Sequence, residues 1–222
     1  MRERQDKAEK TGKKPGGKPP SPPTPGPRDS DQYNFTDPDS RIMKNSRDEG
    51  FSQQYNGQAA VDQEALLILG YSLSHHPNDQ REIAPTLDAI PDALGKPSAA
   101  ALDAGYFSNF NLQILADHDI DAYIAAGRDV HNHGWRAHFA EAGQAPPENA
   151  SAREKMAYKL RTVAGRAIYR RRKCTIEPVF GQIKEIMGFR QFSLRGLAAA
   201  TGEWCLVCLS FNLRRLHVLT QR

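Results

Sequence analysis

The sequence contains few cysteines and no long apolar run. Only 3 of its 222 residues are cysteine, which excludes a disulfide-rich secreted scaffold and fits a reducing cytoplasm. Cys205 and Cys208 form one C-x-x-C within an apolar run, and because no second ligand pair accompanies them we expect packed core thiols instead of a zinc site. The charged N-terminus lacks the apolar core of a signal peptide, and no apolar run is long enough to cross a bilayer. The sequence therefore predicts a cytoplasmic protein that does not contact a membrane.

Length and charge allow a single nucleic-acid-binding domain without requiring one. A chain of 222 residues can bury a sizeable core. Its 30 Lys and Arg residues exceed its 26 Asp and Glu residues, and the net charge of +4 is compatible with a nucleic-acid partner. Residues 1–34 mix basic residues with Pro and Gly and have almost nothing apolar to bury, so we expect a disordered basic linker. An arm in the minor groove of DNA is the less favoured interpretation of this segment, and residues 35–222 are expected to fold.

The order of the predicted elements indicates an α/β layered domain. Two strands, in residues 50–62 and 65–74, are expected to join tightly around Asp62. Residues 78–90 favour a helix that is capped by Asn78.

A short buried strand is expected to end at Asp103, with Gly105 in the turn that follows. Because ligands gather at the carboxyl ends of strands in open α/β sheets, Asp103 is a candidate ligand. An ordinary turn-forming Asp before Gly is the alternative. The elements predicted next are a helix capped by Ser108 or Asn109, a strand over residues 121–127, an irregular insertion over 128–148 and a charged helix from about residue 150.

Two long helices are predicted in the last third of the chain. The first, from Ala167, is basic and amphipathic, with Glu177 between cations in a stripe beside its buried face. A carboxylate between cations suits a metal ligand next to phosphates, although an ordinary solvated helix surface has the same pattern. The second helix, residues 197–219, is expected to keep Arg214 and Arg215 in water. The expected buried faces are Ile176, Val179, Phe180, Ile183 and Met187 in the first, and Trp204, Leu206, Cys208, Leu209, Leu213 and Leu216, packed on the sheet, in the second.

Several separated motifs resemble those of DDE transposases of the IS4 and IS1182 type. The sequence E-P-V-F-G-Q-I-K from Glu177 resembles the E-x6-K signature of the catalytic helix, and L-D-A-G-Y-F-S around Asp103 is similar to another family motif. F-T-D-P-D-S-R-I-M from Phe35 and E-W-C-L-V-C-L-S-F-N-L-R-R-L from Glu203 resemble further motifs, so the likeness runs from about residue 35 to residue 219. The resemblance implies a ribonuclease H-like mixed sheet flanked by helices. It also implies Mg²⁺ or Mn²⁺ as cofactor, and cleavage and transfer of DNA strands at insertion-sequence ends.

By this resemblance Asp103 corresponds to the second Asp of the family, Glu177 to its Glu, and Lys184 to the Lys that contacts phosphate. Asp103 and Glu177 are therefore the predicted catalytic and metal-binding residues. The family places Tyr and Arg seven and four residues before the Glu. Here those positions hold Arg170 and Lys173, while Tyr169 and Arg172 lie one residue earlier and a slip at Pro178 would restore them. Both pairs stay candidates for DNA contact.

The first Asp of the family, usually in D-G-T on the first strand, has no match. Asp37 and Asp39 lie in a Pro-containing turn and Asp62 follows a strand, so none is a convincing substitute. We therefore expect the C-terminal part of a transposase catalytic domain whose first strand is missing, between the hairpin strands and the strand of Asp103. One functional hypothesis is an enzyme that needs an upstream transposase fragment to supply that strand. A second copy of the chain, in a homo-oligomer, is the alternative protein partner. The other hypothesis is a catalytically inactive remnant that binds DNA or a partner.

Overall fold

The structure is a computed structural model of the chain. This structure describes residue 26 and residues 32–45, 50–127 and 143–221. Contacts divide the chain into Met1–Tyr33 and Asn34–Arg222, and every strand and helix of the described residues belongs to the second unit. Most of the linker predicted over residues 1–34 and most of the insertion predicted over residues 128–148 lie outside the described residues.

The strands form a mixed α/β fold, but they pair only two by two. β1 and β2 are antiparallel, β3 and β4 form an antiparallel hairpin, and β5 and β6 are parallel. The single strand predicted over residues 50–62 is wrong in one respect, because the chain breaks at Tyr55 so that β2 pairs with β1 and β3 with β4. The strands are β1 Arg41–Lys44, β2 Phe51–Gln54, β3 Asn56–Val61, β4 Ile68–Ser74, β5 Ala99–Leu102 and β6 Asp121–Ile124.

Five α-helices accompany the strands in the described part of the chain. Asn78 caps only a 3-10 turn, Asp79–Arg81, so the helix predicted over residues 78–90 is divided and its α-helical part begins at Ile83. Ser108, and not Asn109, caps the second helix, because its hydroxyl accepts from the Asn111 N–H at 3.0 Å. The helices are α1 Ile83–Asp88, α2 Asn109–Asp117, α3 Ala152–Arg161, α4 Val163–Gly181 and α5 Leu197–Thr220.

The junction of α3 and α4 depends on a glycine. Thr162 separates the two helices and caps α4, which begins at Val163, earlier than the predicted Ala167. The backbone then passes so close to the end of α3 that a Cβ on Gly165 would lie 1.9 Å from the Lys159 carbonyl oxygen. Only glycine fits this approach without a shift of the backbone.

Helix α4 continues through the proline in its last turn. Pro178 lies inside the helix, which ends only at Gly181. A π-helical turn, Gln182–Ile186, follows directly, and the Met187 N–H donates to the Gln182 carbonyl at 2.9 Å. The helix ends in this wider turn, and Lys184 within the turn is exposed.

The main core forms where α5 packs on the β3–β4 hairpin. Trp204 is 3% exposed and its indole N–H donates to the Gln58 carbonyl at 3.0 Å. The Asn212 side chain bonds both the N–H and the C=O of Ile68, at 2.8 and 2.7 Å, so α5 also supplies hydrogen bonds to β4. The buried residues of α5 are Ala200, Trp204, Val207, Cys208 and Phe211.

The predicted sheet-facing side of α5 is wrong for four of its six residues. Trp204 and Cys208 are buried, but Leu206, Leu209, Leu213 and Leu216 are exposed. The helix is apolar on both sides, and the face with Val207 and Phe211 makes the contact. Arg214 is exposed as predicted, whereas the Arg215 guanidinium donates to the Ala65 carbonyl at 2.6 Å.

The thiols of the C-x-x-C pack as predicted. Cys208 is 2% exposed, and burial raises the pKa of its thiol to about 12. Cys205 is half-buried, and its interaction with the neighbouring Tyr71 hydroxyl raises the pKa of that tyrosine to about 12. Within the ranges that the structure covers, no helix is long and apolar enough to span a membrane.

Candidate active site at the end of strand β5

Asp103 follows directly after strand β5, as the sequence predicts, and it contacts the long helix α4. Its Oδ2 accepts a hydrogen bond from the Arg172 Nη1 at 2.9 Å. The Asp103 side chain is 59% exposed, whereas that of Arg172 is only 14% exposed. The Arg172 Nε is buried without a partner among the described residues. The unpaired N–H of this guanidinium can donate a further hydrogen bond to a carboxylate or carbonyl oxygen.

The phase of α4 decides which of its cations reaches the site. Thr175 and Val179 are buried and define the inward face, and the Thr175 hydroxyl is satisfied there by donating to the Arg171 carbonyl at 2.8 Å. Arg172 lies one turn before Thr175 on this face. The Arg172 guanidinium also lies 5.6 Å from the centre of the Tyr169 ring.

Of the two open pairs of candidates, the structure places Arg172 against Asp103, with Tyr169 beside the Arg172 guanidinium. Arg170 and Lys173 are exposed on the outer side of the helix. This placement is geometry alone, and DNA contact by any of the four residues stays a prediction.

Glu177 and Lys184 do not flank Asp103 as Arg172 does. Glu177 is exposed, and five helical residues after Arg172 correspond to a rotation of about 140°. Lys184 is exposed in the π-helical turn and lines a separate cleft. The structure thus pairs Asp103 with Arg172, and the convergence of Asp103 with Glu177 stays a prediction.

A cavity of about 420 Å³ lies between the β3–β4 hairpin and strand β5. Every residue of Asn56–Val61 in β3 and of Ala99–Leu102 in β5 lines it. Successive side chains of a strand point to opposite faces of the sheet. Consecutive residues can therefore line one cavity only where the cavity runs along the edge of the strand. In the described part of the chain β3 pairs only with β4 and β5 only with β6. The cavity therefore separates two unpaired strand edges, with Asp103 and Arg172 among its lining residues.

A polar network at one end of this cavity was not predicted from the sequence. Asp79 accepts hydrogen bonds from Asn56 and Gln58 through its Oδ1, both at 3.0 Å. The Tyr106 hydroxyl donates to Gln58. Burial, and then the charges of Asp79, Glu82 and Asp103, raise the pKa of Tyr106, so its hydroxyl stays a donor. In the sequence the network is divided between two amides in β3, Asn56 and Gln58, and an acid after β4, Asp79.

Glu82 is the most deeply buried acid of the site. It is 0% exposed, and its Oε1 lies 2.7 Å from the His76 Nδ1. Its Oε2 has no partner among the described residues. Since Glu82 also lines the cavity, a polar atom placed there would have an acceptor available.

The acids considered as substitutes for the missing Asp have structural roles. Asp37 accepts from the Gly196 N–H at 3.1 Å, and Asp39 accepts from the Leu197 N–H at 2.8 Å. Asp62 accepts from the Glu64 N–H at 3.0 Å in the β3–β4 turn. Each carboxylate therefore holds backbone outside the cavity.

The described residues do not by themselves fit a divalent metal centre. Across these ranges, no group of three His, Cys, Asp or Glu side chains lies close enough to hold a metal ion. One oxygen of Asp103 is already bound by Arg172. Mg²⁺ requires several oxygen ligands in a fixed geometry, and two metals require more.

Comparison with known proteins identifies the family. Residues 23–213 match the family described as Transposase DDE domain. No curated protein and no solved structure matches the chain. The matched range covers well over half of the 222 residues and includes Asp103, Arg172 and Glu177. This chain belongs to the DDE transposase family.

Proposed function

We propose that the chain is the greater part of a cytoplasmic DDE transposase catalytic domain that cuts and joins DNA strands at insertion-sequence ends. Asp103 and Glu177 are two of its three catalytic carboxylates. The third enters on a strand, from outside the described residues, that lies between β3 and β5. The observation that carries this proposal is the cavity between those two unpaired edges, which has Asp103 at its rim.

The unsatisfied groups in the cavity support an added strand with an acidic residue. Two open edges can each exchange backbone hydrogen bonds with one extended segment. The Arg172 Nε has no partner among the described residues and would bind a carboxylate carried by that segment. A second carboxylate near Arg172 would compete with Asp103 for the guanidinium. Asp103 would then be free for another partner.

Divalent metal ions are used by DDE transposases, and Mg²⁺ or Mn²⁺ is the proposed cofactor. The described carboxylates do not hold it unaided. The protein itself positions the carboxylates and the cations around the DNA. Asp103 sits on a strand end, Glu177 on α4, and Lys184 and Arg172 supply positive charge for the DNA backbone. Tyr169 acts with them by packing on Arg172.

A second candidate function is DNA or partner binding without cleavage. The Arg172–Asp103 ion pair favours it, because it neutralises the carboxylate that the reaction would need. In that case no added strand binds between β3 and β5, and Glu177 stays exposed to solvent. The two functions differ only in whether a strand with its Asp completes the site.

The test is nicking of a supercoiled plasmid with Mg²⁺ or Mn²⁺ by the purified chain, alone and with an upstream transposase fragment that carries D-G-T. We expect nicking only by the mixture, and loss of at least about 100-fold in Asp103→Asn and in Glu177→Gln. Asp117→Asn, an exposed acid on α2, is the matched control and should leave nicking unchanged. No nicking by the mixture, or nicking that survives both site variants, would overturn the proposal. The first result would favour the binding function.

A further inference from the structure

A second cleft, of about 960 Å³, shares only Gly57 and Phe180 with the lining of the cavity beside β5. One wall is the β1–β2 hairpin with residues 34–40. The other wall is the end of the π-helical turn and the connecting loop, which we define as residues 187–196 between that turn and α5. The rings of Tyr55, Phe189 and Phe192 are among those that line it.

The charge of this cleft is strongly one-sided. Four cations and a single acid, Asp37, line it. The acid is already used, because Asp37 accepts from the Tyr55 hydroxyl at 2.7 Å and from the Gly196 N–H at 3.1 Å. Three of the four cations make no ion pair within the described ranges, and the fourth, Arg190, pairs with the exposed Glu185 at 2.5 Å. The lining cations are Lys44, Lys184, Arg190 and Arg195.

The loop that carries two of these cations is held by carboxylates. Glu203 on α5 accepts from the Ser193 and Leu194 N–H groups at 2.9 Å. Asp39 accepts from the Leu197 N–H at 2.8 Å where the loop enters α5. These bonds fix the backbone and hence the positions from which Arg190 and Arg195 reach the cleft. A rigid cationic wall binds an anionic polymer with a smaller entropic cost than a mobile one.

The opposite wall offers neutral hydrogen-bonding groups. Ser52 and Gln54 on β2 line the cleft with Lys44 of β1, and the Gln54 amide donates to the Ser52 hydroxyl at 2.6 Å. Lys, Ser and Gln side chains opposite arginines are the groups that contact phosphate oxygens along a nucleic-acid backbone.

We propose that this cleft binds the phosphodiester backbone of a DNA duplex, as the DNA-holding surface of the transposase function proposed above. Duplex is favoured over single strands because the rings in the cleft already pack on each other. Phe189 and Phe192 meet edge to face at 5.3 Å, and Tyr55 and Phe192 do so at 5.8 Å. Rings engaged in this way do not form a platform on which unstacked bases can stack.

The test measures binding of a short fluorescent duplex by the full chain in EDTA, at several salt concentrations. Lys44→Gln and Arg195→Gln should each weaken binding about three- to tenfold and reduce the slope of log K against log salt by about one. Arg214→Gln, an exposed cation on α5 that does not line the cleft, is the matched control and should bind like the wild type.

Three outcomes would overturn the inference: no duplex binding, both cleft variants matching Arg214→Gln, or tighter binding of a single strand of the same length. The assay contains no metal and leaves Asp103, Glu177 and Lys184 unchanged. Its failure is therefore separate from failure of the nicking test, which reports on the catalytic residues.

Discussion

The Arg172 guanidinium on α4 and the Asp103 carboxylate at the end of β5 form an ion pair, with 2.9 Å between Nη1 and Oδ2. One partner is 14% exposed and the other 59%. The pair joins the long helix to the strand that borders the cavity. It also places a positive charge directly beside the candidate catalytic Asp.

A double-mutant cycle measures this coupling. Arg172→Met and Asp103→Asn, alone and together, should give a coupling energy of about 0.5–1 kcal/mol in urea unfolding, because the arginine is shielded while the acid remains partly solvated. The exposed Arg190–Glu185 pair, with side chains 63% and 65% exposed, is the matched control and should give less than about 0.5 kcal/mol. Equal coupling in the two pairs would show that the site pair has no special shielding.

The α3–α4 junction predicts a large effect for a small substitution. Gly165→Ala should reduce the free energy of unfolding by about 1–3 kcal/mol, because the added Cβ would clash with the Lys159 carbonyl and displace α4. Gly202→Ala is the matched control, since it lies in helix α5 with open space around it and should stabilise by up to about 1 kcal/mol. A neutral Gly165→Ala in thermal or urea unfolding would contradict the close approach.

The hydrogen bonds that the Asp37 carboxylate accepts lead us to expect that stability depends on pH. Burial raises the pKa of Asp37, but hydrogen bonds from the Tyr55 hydroxyl and from backbone N–H groups, including that of Gly196, outweigh it and lower the pKa below its ordinary 3.8. The native state therefore favours the carboxylate more than the unfolded state does. The resulting stabilisation is present above about pH 4 and is lost as the pH falls through the native pKa.

Melting curves between neutral and acidic pH check this effect. Asp37→Asn should lower stability at neutral pH and flatten the loss of stability below about pH 4. Asp92→Asn, at an exposed acid, should keep the wild-type profile. An unchanged acid profile in Asp37→Asn would show that this carboxylate does not anchor the connecting loop.

Local signals in the sequence were sufficient for much of the fold. The short apolar strand before Asp103 and the long helix α5 formed as predicted, because each has a strong pattern and a clear end. The exposed face of α5 was not predictable in this way. Apolar residues surround the helix, and only the hairpin, which is distant in sequence, selects Val207 and Phe211 over Leu206 and Leu209.

The candidate site also could not be predicted in full from local sequence patterns. Two pairs one residue apart, Tyr169 with Arg172 and Arg170 with Lys173, were both compatible with the pattern of α4. The buried Thr175 sets which face of α4 points inward, since its hydroxyl is satisfied by the Arg171 carbonyl, and on that face Arg172 contacts Asp103. A polar residue at a buried position gives no hydropathy signal. The Asp79 network was missed for the same reason, as its amides are satisfied only by contacts between distant segments.

Amide hydrogen exchange can show whether a strand joins the edges of β3 and β5. Mass spectrometry would follow the chain with and without an upstream fragment that carries D-G-T. We expect exchange in Asn56–Val61 and Ala99–Leu102 to slow by about tenfold or more when the fragment binds. The β1–β2 hairpin, which does not line the cavity, should be unchanged and serves as the internal control. Binding of the fragment without protection of both strands would contradict the proposed completion of the site.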